Sequence, residues 1–100
     1  MTDLIEIIFK KCDENLQLLT VHNNTFMIFY HVFLKGEHLG SFFVTKDKPN
    51  LIRMSTSRNY EDMKASGDFE NATAEVDLND FTQEETNLKI KKTFKTRFTF

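Results

Sequence analysis

The chain has 100 residues, 40% apolar and 28% charged, a composition that fits one globular domain and excludes a disordered or fibrous chain. A formal charge of −2 argues against a nucleic-acid or membrane binder held by bulk charge. Phenylalanine is over-used, 11 residues against 3 Gly, 1 Pro and no Trp, so an aromatic core is expected.

Residues 2–14 place Leu4, Ile5, Ile8, Phe9 and Cys12 at helical spacing, with Glu6, Lys10, Asp13 and Glu14 on the other side. Thr2 or Asp3 can cap this helix, and Lys10 and Lys11 suit the negative end of its dipole. The β-branched residues of 4–10 also read as a first strand. The apolar run 4–9 is broken by Glu6 and has no basic lead, unlike a secretory signal. The stretch 25–34, about ten residues with His31 inside it, is too short for a spanning helix. Cys12 is the one cysteine, which rules out an internal disulfide. A soluble cytoplasmic protein with no membrane association is expected.

From Leu16 the period changes to two. Residues 16–22 read as a strand, Asn23-Asn24 as a turn, and 25–34 as the strongest strand in the chain. Gly36-Glu37 then suits a type II′ turn, and 38–45 returns. That register sets Phe33 opposite Gly40, Tyr30 opposite Phe43, Phe29 opposite Val44, Leu34 opposite Leu39 and His31 opposite Phe42. Both faces of 25–34 are apolar, so a helix on one side leaves the other to be covered. The cover is either the C-terminal strands or a second subunit, which makes Met27, Phe29 and Phe33 a candidate homodimer face.

Residues 46–50 form a polar turn and 51–57 a fourth strand. Ser57 can cap a short helix through Tyr60 and Met63 that stops near Gly67. Residues 73–78 alternate, with Ala74, Val76 and Leu78 inward. A polar connection, 79–87, carries one helical turn around 82–85. Residues 88–100 read as a final strand with Leu88, Ile90, Phe94, Phe98 and Phe100 on one face and Lys89, Lys91, Lys95 and Arg97 on the other. The expected fold is α+β: an N-terminal helix packed on a curled antiparallel sheet of about six strands, in one domain spanning 1–100. A mostly-β sandwich or barrel is the alternative. The core should hold Leu4, Ile8, Phe9, Leu18, Phe26, Ile28, Tyr30, Val32, Phe43, Val76, Ile90 and Phe94.

The near-neutral total hides unlike blocks. Residues 61–85 carry nine acidic side chains against Lys64, while 86–100 carry five basic ones and no acid. Cross-strand pairing of Asp77 with Lys89 and Glu75 with Lys91 would absorb two of the acids. Glu61, Asp62, Asp68, Glu70, Asp80, Glu84 and Glu85 remain, and together they can form a surface that holds a basic partner.

Other chemistry fails on spacing. His22, His31 and His38 match no metal-ligand pattern, and no cofactor is implied. Cys12 falls on the apolar stripe of its helix, where a buried inert thiol is expected rather than a nucleophile. Asp77-Leu78-Asn79-Asp80 starts like a calcium loop but has Thr82 where Gly is needed and Leu88 where Glu is needed. The C-terminal cations interleave with Phe, but alternation separates them onto opposite faces, which argues against a stacking platform for nucleic acid.

The sequence therefore points to a non-enzymatic binding protein that neutralises a basic protein partner through an acidic surface. A nuclease toxin or a host nucleic-acid enzyme would be such a partner, as for immunity proteins and phage inhibitors. A homodimeric structural or chaperone-like module is the first alternative, and a nucleic-acid binder using Lys89, Lys91, Lys95 and Arg97 the second.

Overall fold

A computed structural model describes residues 4–57, 59–67 and 69–94. The element order is α1 (Leu4–Cys12), β1 (Leu16–Asn23), β2 (Met27–Leu34), β3 (Glu37–Thr45), β4 (Lys48–Ser55), α2 (Tyr60–Ser66), β5 (Ala74–Asp77) and α3 (Gln83–Thr93). The five strands form one antiparallel sheet in the order β1-β2-β3-β4-β5. β1 and β5 lie at opposite ends, so the sheet is open and the barrel alternative does not apply. Bulges interrupt three of its four ladders and add local twist.

α1 is a helix because Ile5, Ile8 and Phe9 share one buried face, with Cys12 continuing the stripe. Leu4, expected inside, is 51% exposed, on the wet side with Ile7. Phe9 stacks on Phe42 at 4.8 Å between ring centroids, and Phe42 stacks on Tyr30 at 4.4 Å. This three-ring column ties the helix to the middle of the sheet. Leu18 and Ile28, also expected inside, are half-buried at the margin of this core.

The hairpin 27–45 forms, but in a different register. Lys35 and Gly36 both have positive φ, 50° and 84°, which makes the turn type I′ between Leu34 and Glu37 rather than type II′ at Gly36-Glu37. A bulge at Leu39 then shifts the ladder, giving Val32 opposite Gly40, His31 opposite Ser41, Tyr30 opposite Phe42 and Phe29 opposite Phe43. Gly40 carries no Phe33 ring. A Cβ there would fall 2.6 Å from Phe94 Cε1 and 2.6 Å from the Ser55 carbonyl oxygen, so the glycine is the seat of a ring from the C-terminal helix. Phe26, expected in the core, is 77% exposed because β2 starts only at Met27, two residues later than expected. The Asn24 side chain accepts from the Phe26 and Met27 N–H groups and holds that segment as a turn.

The largest correction is at the C-terminus. Residues 83–93 are helical, not a sixth strand. Thr82 caps α3 by accepting from Glu85 N–H at 3.2 Å, and Thr86, Ile90, Thr93 and Phe94 are buried at spacings of four, three and one residue. Two inward positions are threonines, so apolar residues alone displayed a false period of two. Gln83 Nε2 donates to the Ile8 carbonyl and to Asn87 Oδ1, fastening α3 to α1. Residues 95–100, with Lys95, Arg97, Phe98 and Phe100, lie outside the described residues.

α1 and α3 cover one face of the sheet. α2 sits on the other, where Met63 joins Phe29 and Phe43, with Met27, Tyr60 and Phe69 around them. Asn59 caps α2 rather than Ser57, accepting from Asp62 N–H at 2.9 Å, and Gly67 ends it in the left-handed conformation. The chain thus supplies the second cover by itself. Phe29 is fully buried and unavailable as a dimer face, while Met27 and Phe33 remain half-buried.

Candidate functional site

The α2 side of the sheet gathers most of the chain's unused polar chemistry. In β5 the side chains of Ala74 and Val76 enter the core under α3, so Glu75 and Asp77 point to the α2 side. Glu61 and Asp62 occupy the first turn of α2 on that same side, where they also complement the helix dipole. Glu70 follows the helix in a turn closed by its N–H donating to the Gly67 carbonyl. Glu61, Asp62, Glu70, Glu75 and Asp77 are all exposed, and none makes an ion pair with a cation among the described residues.

The expected neutralisation of Glu75 and Asp77 does not occur. β5 pairs with β4, and Lys89 Nζ donates to the backbone carbonyl of Glu75 at 2.9 Å rather than to a carboxylate. Arg53 stands directly across from Glu75 on β4, but its guanidinium donates to the Phe69 carbonyl and lies over the Phe43 ring instead of pairing with that carboxylate. Lys89, Lys91 and Lys92 sit on α3, against the other face of the sheet. Lys89 and Lys91 are helical and do not alternate along a strand face, while Lys95 and Arg97 lie outside the described residues.

The structure divides the seven sequence-selected acids. Glu61, Asp62 and Glu70 fall on the α2 side. Asp80 lies in the turn after β5, and Glu84 and Glu85 lie in the first turn of α3, where capping and dipole give them a structural reason. Asp68 lies outside the described residues. Glu75 and Asp77 are the acids missed, because a pairing inferred between the wrong strands had consumed them.

Further along the same face stand the histidines. The bulge at Leu39 turns His38 to the side of His31, and their rings meet edge to face at 4.7 Å. His22 packs on Tyr60 at 4.9 Å and on Phe29 at 6.0 Å. His31 Nε2 is buried without a hydrogen-bond partner. Burial, then repulsion from His38 and His22, pushes the His31 pKa down and favours the neutral ring. Among the described residues no three His, Cys, Asp or Glu side chains come together as a metal site. Cys12 is half-buried with Sγ 3.9 Å from the Asn87 carbonyl, and burial raises its pKa more than nearby Lys91 lowers it. The thiolate is thereby disfavoured.

No protein-family model, curated protein or solved structure matches this chain. Among the described residues, no helix is long and apolar enough to cross a membrane.

Proposed function

We propose that this chain is a non-enzymatic cytoplasmic binding protein that holds and inhibits a basic protein partner through its acidic α2 side. The observation that supports this reading is that Glu61, Asp62, Glu70, Glu75 and Asp77 share one side of the sheet without cationic partners among the described residues. Such a field steers a cationic partner and occupies a cleft shaped for phosphates, as an inhibitor of a nuclease toxin or of a host nucleic-acid enzyme would. These carboxylates are exposed and lack the apolar enclosure that tunes a catalytic acid or base, so the reading is binding rather than catalysis.

The test is affinity capture from the native host, with the bound protein identified and its binding repeated in purified form. Combined Glu61→Gln, Asp62→Asn, Glu70→Gln, Glu75→Gln and Asp77→Asn should abolish capture, and rising salt should weaken what the wild type holds. The set Asp80→Asn, Glu84→Gln and Glu85→Gln should leave capture nearly intact. Undiminished binding by the five-site variant would overturn the proposal.

A further inference from the structure

We propose that the chain forms a twofold homodimer by antiparallel pairing of its β1 edges, with Leu19 at the dyad. The inference rests on the backbone of β1 and is independent of the acidic surface.

β1 is an end strand of eight residues, Leu16–Asn23, with no Asp, Glu, Lys, Arg, Pro or Gly in it. Leu19 and Val21 are 54% and 41% exposed. Long, uncharged and apolar end strands are what monomeric proteins avoid, because their free N–H and C=O groups template pairing.

The direction of those groups follows from the neighbouring ladder. The two-residue turn at Lys35-Gly36 requires Leu34 and Glu37 to exchange hydrogen bonds, so the backbone groups of Leu34 face β3. Those of its β1 partner, Leu16, must then face away from β2. They do: Leu16 N–H donates to the Asp13 carbonyl and its carbonyl accepts from Lys10 Nζ at 3.1 Å. Alternation turns Leu18 and Thr20 outward in the same way, while Gln17 and Leu19 bond to β2.

The free edge is therefore short and bounded. Lys10 closes it at Leu16, and the bulge at Val21 interrupts it beyond Thr20. Leu18 and Thr20 flank Leu19 symmetrically. A second copy related by a twofold axis normal to the sheet pairs Leu18 with Thr20 of its mate and Thr20 with Leu18, and sets the two Leu19 side chains against each other. This arrangement uses every outward group between the two boundaries.

The flanking groove agrees with the same operator. Glu6 and Lys10 of α1 line the groove of about 600 Å³ beside β1, together with Gln17, Leu19 and Phe33. The axis sets the grooves of the two copies on either side of the seam, with their α1 helices antiparallel. The opposite edge cannot continue the sheet. β5 has four residues, points Glu75 and Asp77 outward, and has its Glu75 carbonyl bound by Lys89. One open edge gives a closed dimer, not a filament.

Sedimentation of the full chain at tens of micromolar should give twice the 11.8 kDa chain mass. Leu19→Lys, at an exposed position that places like charges on the dyad, should give the single-chain mass with an unchanged far-ultraviolet dichroism spectrum. Register is read by mild oxidation in a Cys12→Ser background. Leu19→Cys should cross-link to its own copy, since directly opposed non-bonded pairs bring Cα atoms to about 4.5 Å. Gln17→Cys should not, because its copies lie about 13 Å apart along the strands. A wild-type chain that stays at single mass to hundreds of micromolar, a species larger than a dimer, or equal cross-linking at both positions would overturn the proposal. Glu75 and Asp77 lie at the β5 end, whereas Glu61 and Asp62 follow Tyr60, which packs on His22 of β1, so Leu19→Lys is read for capture and the five-site variant for mass, and each should leave the other property unchanged.

Discussion

The two edges of the sheet are built by opposite rules. β5 is four residues long, carries Glu75 and Asp77, and is held by α3 through the Lys89 bond to the Glu75 carbonyl. β1 is eight residues long and uncharged, and among the described residues its backbone edge is closed at one end, where Leu16 bonds Lys10 and Asp13. The difference teaches where the C-terminal segment spends its residues. As a sixth strand it would have extended the sheet past β5. As a helix capped by Thr82 and seated by Phe94 it crosses back over the core and shields that edge.

The cover on β5 can be broken most severely at its anchor. Phe94 is buried with its ring against Gly40, and Phe94→Ala should cost about 3–5 kcal/mol in urea unfolding by emptying that seat. Gly40→Ala attacks the same joint from the sheet. Its Cβ meets a ring that can tilt and a backbone carbonyl that cannot, so a loss of about 1–3 kcal/mol is expected in the same assay. Thr82→Ala removes the cap of α3 and should cost about 1 kcal/mol, with faster amide exchange in the first turn of the helix.

The β1 side can be sharpened by pH. His31 pairs across from Leu19, and its folded pKa is depressed by burial first and by its histidine neighbours second. A folded value below the unfolded one means that this contribution to stability is complete above about pH 6.5 and declines as pH falls through the folded value. Unfolding midpoints compared above and below that point should show the decline, and His31→Phe should shrink it. The effect is the smallest of the four because the ring is half-exposed and water offsets much of the penalty.

How much of this was legible follows particular residues. Ile5, Ile8 and Phe9 announced α1, and Ala74 and Val76 announced β5, because each element buries apolar side chains at its own period. Gly67 marked the end of α2, since a left-handed cap favours glycine. The bulge at Leu39 left no such mark. One extra residue inverted the parity of everything after it on β3, and so concealed that Phe43 rather than Val44 stands beside Phe29, with Phe42 beside Tyr30. For the acidic surface, Glu61, Asp62 and Glu70 were evident from charge. Glu75 and Asp77 were hidden by the assumption that nearby segments pair.

By itself the sequence determined the class of the fold, one helix ahead of an antiparallel sheet, and the excess of acid between 61 and 85. Hydrophobic period and charge are local properties, readable within a few turns of chain. The tertiary structure alone decided that Gly40 serves Phe94, that α2 rather than a second subunit closes over Phe29, and that the basic helix faces away from the acids. Each of these joins residues distant in sequence, and their partners are chosen by packing, which no local pattern encodes.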